Sequence, residues 1–127
     1  MRYAEDLPLN SARTIRLIAQ AWVLLLIAGS LQPGRPGPVH TFHRLIHFVA
    51  FGGAMLLFLL LARNRRQEIL AVAGLCLLGL SIEYAQHRIY GNVMEWWDVR
   101  DDTLAVLGAL VLYYVWRAFR TTAKAST

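Results

Sequence analysis

The stretch from Ser81 to Asp102, SIEYAQHRIYGNVMEWWDVRDD, gathers most of the acidic residues of the chain. It contains five of the eight Asp and Glu residues, namely Glu83, Glu95, Asp98, Asp101 and Asp102. Apolar runs flank it on both sides, AVAGLCLLGL before it and TLAVLGALVLYYVW after it. Carboxylates concentrated between apolar runs indicate either a solvated loop or a functional site.

A second group of polar residues lies in HTFHRLIH, at the start of another apolar run. His40, His43 and His47 follow the spacing i, i+3 and i+7, so a helix would place them and Arg44 on roughly one face. An imidazole can give or take a proton near neutral pH, and a guanidinium can hold an anionic group. His47 lies inside the apolar run, too deep for a plain loop residue.

We expect the acidic stretch to divide between the protein interior and water. Glu83 and Gln86 continue the helix of the preceding apolar run, while Asp98 and Asp102 share a face of the following helix through their i, i+4 spacing. The residues expected to point inward toward His47 are Glu83, Gln86 and Asp98. Those expected to point to water are Glu95 and Asp101. Acidic residues at a helix N-terminus are also favoured by the helix dipole alone.

Three interpretations of these polar residues remain open from the sequence. One is a structural ion-pair network in which Arg44 is neutralised by Glu83 and Asp98. The second is a binding site for a polar or charged headgroup. The third is a catalytic or metal site, since His43 and His47 with two carboxylates resemble zinc ligands, but HExxH and paired-cysteine signatures are absent. We therefore predict no metal and no cofactor.

Composition indicates a membrane protein. Hydrophobic residues make up 57% of the 127 residues and charged residues 17%, with a mean hydropathy of +0.42. Soluble domains average about 45–50% apolar and about 25% charged. The net charge of +5 would suggest nucleic acid in a soluble protein, but the basic residues flank apolar runs, so membrane lipids are the expected partner and nucleic acid is not. The first twenty residues lack a signal-peptide pattern, so we expect no cleaved signal.

The apolar runs predict an all-α, integral membrane four-helix bundle that forms a single domain over residues 1–127. A spanning helix needs about 20 mostly apolar residues. The predicted spans are 16–33, 44–62, 68–87 and 101–119. The Pro- and Gly-rich QPGRPGPVH separates the first two, and tryptophans at both ends of the last run are typical of the membrane interface.

The distribution of Lys and Arg predicts the orientation. Nine of these residues fall in the N-terminal segment, the second connection and the C-terminal tail, whereas four, Arg35, Arg44, Arg88 and Arg100, fall in the first and third connections. Because basic residues collect on the cytoplasmic side, both termini are expected in the cytoplasm. The acidic stretch would then lie on the outer face.

The residues in HRLIHFVAFGG and EYAQHRIYGNVMEWWDVRDDTLAVLGA resemble the motifs of the VanZ-like family over residues 25 to 115. His47 and Phe48 match the family's His-Phe, and Arg44 keeps the charge of its lysine. Glu83 and Gln86 match its Glu-x-x-Gln, and Asp98 follows at the family's spacing. The departures include His43 for the family's aspartate, Asn92 for its turn arginine and Asp102 for its asparagine.

The resemblance implies a small multi-pass protein of the bacterial cytoplasmic membrane and cell envelope, in a family linked to teicoplanin resistance. A lipid-linked cell-wall precursor or a glycopeptide would be the partner. The outer-face pocket that we predict consists of Arg44, His47, Glu83, Gln86, Asp98 and Asp102. Two rival functions are an acid–base enzyme on a lipid-linked substrate, with His47 as base and Asp98 as its orienter, and a purely structural assembly partner.

Overall fold

The computed structural model describes the backbone of residues 9–31, 33 and 40–125, and the side chains of 10–31, 33 and 44–122. Its four helices are α1 (Leu9–Ser30), α2 (His40–Leu61), α3 (Arg65–Tyr90) and α4 (Trp96–Ala125). At about 1.5 Å per residue, each exceeds the roughly 30 Å hydrocarbon core of a bilayer. All four are long and apolar enough to span a membrane, which confirms the predicted all-α membrane bundle.

The helices alternate in direction. Arg44 and Asp101, near the starts of α2 and α4, contact each other, so these two helices run parallel. Gln86 near the end of α3 reaches Ser30 at the end of α1, so these two also run parallel. The end of the bundle where α1 and α3 finish and α2 and α4 begin is called the acidic end below. The opposite end, which holds the connection from α2 to α3, is called the basic end.

Local contacts define both ends of α3 and the start of α4. The side chain of Asn64 caps the start of α3 by accepting from the Gln67 backbone N–H at 2.9 Å. Gly91 ends that helix with a φ of 69°, in the left-handed region where a residue without Cβ is favoured. Glu83 on α3 accepts from the backbone N–H of Glu95 at 3.1 Å, so a buried carboxylate satisfies the N–H group directly before the first residue of α4.

The core lies chiefly between α2 and α4, the helix pair with the most extensive contact. Phe51, Met55, Leu59 and Val106 are fully buried there. Gly52 of α2 faces the backbone of α4 here, and a Cβ at this position would make an ordinary contact, 3.6 Å from the carbonyl oxygen of Ala105. This close packing fixes the register of α2 against α4 and hence the alignment of their polar N-terminal turns.

The described residues of the predicted spans lie within the observed helices except Leu31, Pro33 and Ala62, and Gln32 lies outside the described residues. The helices extend further into the connections than the apolar runs do. In particular, α4 begins at Trp96, so its aspartates occupy the first two turns of a regular helix instead of a loop.

Candidate functional site

The imidazole of His47 lies between two aspartates of α4 at the acidic end. Its Nδ1 is 2.7 Å from Oδ1 of Asp102, and its Nε2 is 3.8 Å from Oδ2 of Asp98. Asp98 and Asp102 present one face of α4 through their i, i+4 spacing, which brackets the ring. The ring also stacks on Phe51 with centroids 6.4 Å apart. All three polar side chains are buried.

Asp101 anchors two arginines. Arg44 donates from Nε to Oδ2 at 2.6 Å, and Arg100 donates from Nη2 to Oδ1 at 2.7 Å and from Nε to the same oxygen at 3.0 Å. The Asp101 side chain is only 1% exposed, whereas those of Arg44 and Arg100 are 52% and 44% exposed. The guanidinium of Arg100 also lies over the ring of Trp97, 4.5 Å from its centroid. A buried carboxylate therefore holds two half-exposed cations.

Glu83 and Gly79 bring α3 into the cluster. Glu83 is 3% exposed and is occupied by its bond to the Glu95 backbone. One turn earlier, Gly79 faces Asp102, and a Cβ on this glycine would lie 2.8 Å from Oδ2 of Asp102. The absence of a side chain at position 79 thus makes room for the carboxylate that bonds to His47.

Gln86 lies apart from His47. Its Nε2 donates to the backbone oxygen of Ser30 at 2.5 Å, and the neighbouring Tyr90 hydroxyl donates to Leu31 at 3.2 Å. Both side chains tie the end of α3 to the end of α1. The prediction that Gln86 points toward His47 is wrong, because the end of α1 offers it unpaired helix-terminal carbonyls.

The predicted division of the acidic residues is confirmed except at one position. Glu83 and Asp98 are buried and Glu95 is exposed, as expected. The prediction that Asp101 points to water is wrong, since Asp101 is more buried than Glu83 or Asp98. At about 100° per residue, Asp101 lies about 60° to one side of Asp98 and Asp102 about 40° to the other, so one arc holds all three.

The predicted partners of Arg44 are also wrong. Its salt bridge is made with Asp101, whereas Glu83 caps α4 and Asp98 approaches His47. The side chains of His40 and His43 lie outside the described residues. Within the described part of the chain, no three His, Cys, Asp or Glu residues are arranged to hold a metal ion.

Sequence reasoning missed Asp101, Arg100 and Gly79. The signal for Asp101 was its i, i+3 relation to Asp98, and that for Arg100 was its i, i+3 relation to Trp97. The role of Gly79 depends on which helix crosses it, so no local pattern could have identified it.

The site has two chemically different layers. Near the surface, the two arginines outnumber Asp101, which leaves one excess positive charge that suits an anionic group. Below it, His47 lies among the carboxylates of Asp98 and Asp102, an arrangement suited to holding a proton.

Comparisons of the chain with protein-family models, with curated proteins and with solved structures found no match.

Proposed function

We propose that this chain is a VanZ-like protein of the bacterial cell envelope whose acidic end binds the anionic headgroup of a lipid-linked molecule. The observation that carries the proposal is the pair of half-exposed guanidinium groups, Arg44 and Arg100, anchored on buried Asp101. Lipid-linked cell-wall precursors carry phosphate groups, and the resemblance links the family to teicoplanin resistance. The expected location is the bacterial cytoplasmic membrane, with both termini in the cytoplasm and the headgroup bound on the outer face.

The geometry favours a phosphate ligand. Each guanidinium has five N–H donors, and the bonds to Asp101 use Nε and one Nη on each arginine. The remaining donors are fixed in a planar fork that matches phosphate oxygens. Since Asp101 already orders both side chains, binding loses less side-chain entropy than it would with two mobile arginines.

The proposal also accounts for a departure from the family pattern. Asn92 replaces the family's turn arginine, which removes one cation from the outer face. Arg100 supplies a second cation beside Arg44, because both contact the same carboxylate. Trp97 keeps the Arg100 guanidinium at the depth of the headgroups, since tryptophan favours the interface.

Binding of a polyprenyl pyrophosphate to the detergent-purified protein tests this function. We expect Arg44→Gln with Arg100→Gln to weaken binding at least tenfold, because both cations are lost. Arg88→Gln is the matched control, since Arg88 is an exposed arginine near the same end of the bundle. Equal binding by the double variant and the wild type would refute the site. Teicoplanin, assayed in parallel, distinguishes a glycopeptide ligand from a lipid-linked one.

The short contact between His47 and Asp102 favours a second candidate, acid–base catalysis on the bound lipid. His47 would be the base, and its orienter would be Asp102 instead of Asp98, because Asp102 is the closer carboxylate. Asp102→Asn would then abolish turnover of the pyrophosphate while its binding persists. Loss of binding and turnover together would assign Asp102 to folding.

A structural role is the third candidate, and one observation favours it. Among the described side chains, every buried polar atom has a hydrogen-bond partner, as in a network that only holds helices together. Headgroup binding decides between the roles, because both arginines pair with buried Asp101 and their removal lowers stability under either one. A binding site predicts that the folded wild type binds the headgroup and that the arginine variants bind it more weakly, whereas a purely structural network predicts no binding by the wild type.

A further inference from the structure

A groove separates α1 from α3 in the half of the bundle nearer the basic end. At the acidic end the two helices are tied by Gln86 and Tyr90, which bond to the end of α1. Elsewhere α1 packs mainly against α2. The resulting cavity has a volume of about 450 Å³ and lies between Val23 of α1, Phe58 of α2 and the face of α3 that contains Gly74.

The length of this groove matches one leaflet. On α3 it runs from Gln67 to Leu78, which are 11 residues apart (78 − 67). At about 1.5 Å per residue this is about 16 Å, close to half of the roughly 30 Å hydrocarbon core. Its lining is apolar except for Gln67, which lies in the first turn of α3 and hence at the membrane surface. An acyl chain entering from the basic end would fill it.

Two arginines lie on the helices that border the groove, each on the basic-end side of the residues that line it. Arg66 precedes Leu70, a lining residue, by one helical turn, and Arg16 precedes Val23 by two turns, so each lies on the groove side of its helix. Both are exposed. Long arginine side chains at helix ends reach the headgroup layer, where they attract phosphate. The charge on the basic-end side of the groove therefore complements an anionic headgroup.

We propose that this groove is a binding site for an anionic phospholipid of the leaflet at the basic end, with one acyl chain between α1 and α3 and its phosphate at Arg16 and Arg66. A transmembrane helix of a partner fits less well. Such a helix would contact the bundle through both leaflets, whereas the bonds of Gln86 and Tyr90 close the groove toward the acidic end. The site is independent of the function proposed for the acidic end.

Gly74 provides a selective test. A Cβ at this position meets nothing within 4 Å, so Gly74→Leu can fill the groove without a backbone clash. Gly108 on α4 is also exposed with open space around it and does not line the groove, so Gly108→Leu is the matched control. Circular dichroism and thermal unfolding in detergent establish that both variants remain folded. If Gly74→Leu fails that check, Gly74→Ala replaces it, with Gly108→Ala as control.

Native mass spectrometry of the protein titrated with dioleoyl phosphatidylglycerol or dioleoyl phosphatidylcholine measures binding. The wild type and Gly108→Leu should bind the anionic lipid at least fivefold more tightly than the zwitterionic one. Gly74→Leu should bind phosphatidylglycerol at least fivefold more weakly than the wild type. Arg16→Gln with Arg66→Gln should remove the preference for phosphatidylglycerol.

Two results would overturn the lipid site. One is equal phosphatidylglycerol binding by Gly74→Leu and Gly108→Leu, which would place the lipid elsewhere on the bundle. The other is a wild-type dimer that Gly74→Leu converts to a monomer, because the groove would then be an interface between copies of this chain.

Discussion

A Cβ on Gly79 would lie 2.8 Å from Oδ2 of Asp102, closer than a Cβ atom approaches its non-bonded neighbours in folded proteins. The same carboxylate contacts Nδ1 of His47 through its other oxygen. Asp102 is therefore held between α3 and α2, and its position depends on a residue without a side chain. A shift of the Asp102 carboxylate would therefore change both the packing of α3 against α4 and the contact with His47.

Gly79→Ala should destabilise the protein by about 1–3 kcal/mol, the usual cost of overpacking a tight contact. The added methyl group must displace either the Asp102 carboxylate or the backbone of α3. Reversible unfolding in detergent measures the free energy. Gly74→Ala is the control on the same helix, because a Cβ there meets nothing within 4 Å and alanine favours helix. Equal stability of the two variants would contradict the close approach.

Asp101→Asn should lower the melting temperature more than either Arg44→Met or Arg100→Met does. Loss of the carboxylate leaves both guanidinium groups without their anchor, whereas loss of one arginine leaves the other bonded to Asp101. Arg44→Lys should be milder than Arg44→Met, because it keeps the charge. Thermal unfolding of the four variants in one detergent provides the comparison.

The variant that combines both arginine changes is the control for this predicted order of melting temperatures. Combining Arg44→Met with Arg100→Met should cost more than the sum of the single changes, because only the double variant leaves buried Asp101 without a cation. Strict additivity would show that the two arginines do not share the carboxylate in the membrane.

Apolar run length and helix-ending residues were sufficient to predict four spanning helices, because spanning requires little beyond about 20 apolar residues. Burial of Glu83 and Asp98 was also predictable, since each continues or begins an apolar helix on its inward face. The expectation that Asp101 points to water treats the buried face as narrow. Asp101 lies about 60° from Asp98 on the side opposite Asp102, so a buried face about 100° wide is needed to include all three, and only the packing of the other helices shows that width.

The sequence does not predict which side chains pair across helices, because that pairing depends on helix register. The choice of His47 between Asp98 and Asp102 follows from how far α2 slides along α4, which is set by the packing of buried core side chains such as Phe51 and Val106. The orientation of Gln86 follows from where α1 ends, since it bonds to that terminus. Neither relation is local, so spacing within one helix cannot predict it.

A double-mutant cycle on His47 and Asp102 should give a coupling energy of about 0.5–3 kcal/mol, the range for residues in direct contact. His47→Gln and Asp102→Asn remove the imidazole and the carboxylate while preserving approximate size. The second cycle, His47→Gln with Asp98→Asn, should give a smaller coupling because that pair is 3.8 Å apart instead of 2.7 Å. A larger coupling to Asp98 would restore it as the closer partner.

Tyr114→Phe should destabilise the basic end by about 1–3 kcal/mol, the cost of leaving a buried polar group with fewer partners. The Tyr114 hydroxyl donates to the carboxylate of Glu68, which is 5% exposed, and accepts from Arg65. Unfolding in detergent measures the loss. Tyr84→Phe is the matched control, because Tyr84 is 57% exposed. Equal stability of the two variants would argue against a role for the hydroxyl.

Alkaline phosphatase fused after Asn92 should be active in a bacterial host, and the same enzyme fused after Asn64 should be inactive. The enzyme folds only outside the cytoplasm, and the nine-to-four distribution of Lys and Arg predicts that the basic end faces inward. Asn92 lies in the connection from α3 to α4 at the acidic end, and Asn64 caps α3 at the basic end.

The two fusions control each other, since the helices alternate in direction and the connections lie at opposite ends of the bundle. Immunoblotting establishes that both are produced at comparable levels. The reverse pattern of activity would place the paired arginines and His47 in the cytoplasm. A headgroup bound at Arg44 and Arg100 would then come from the inner leaflet, and a cell-wall precursor displayed outside the cell would be excluded as the ligand.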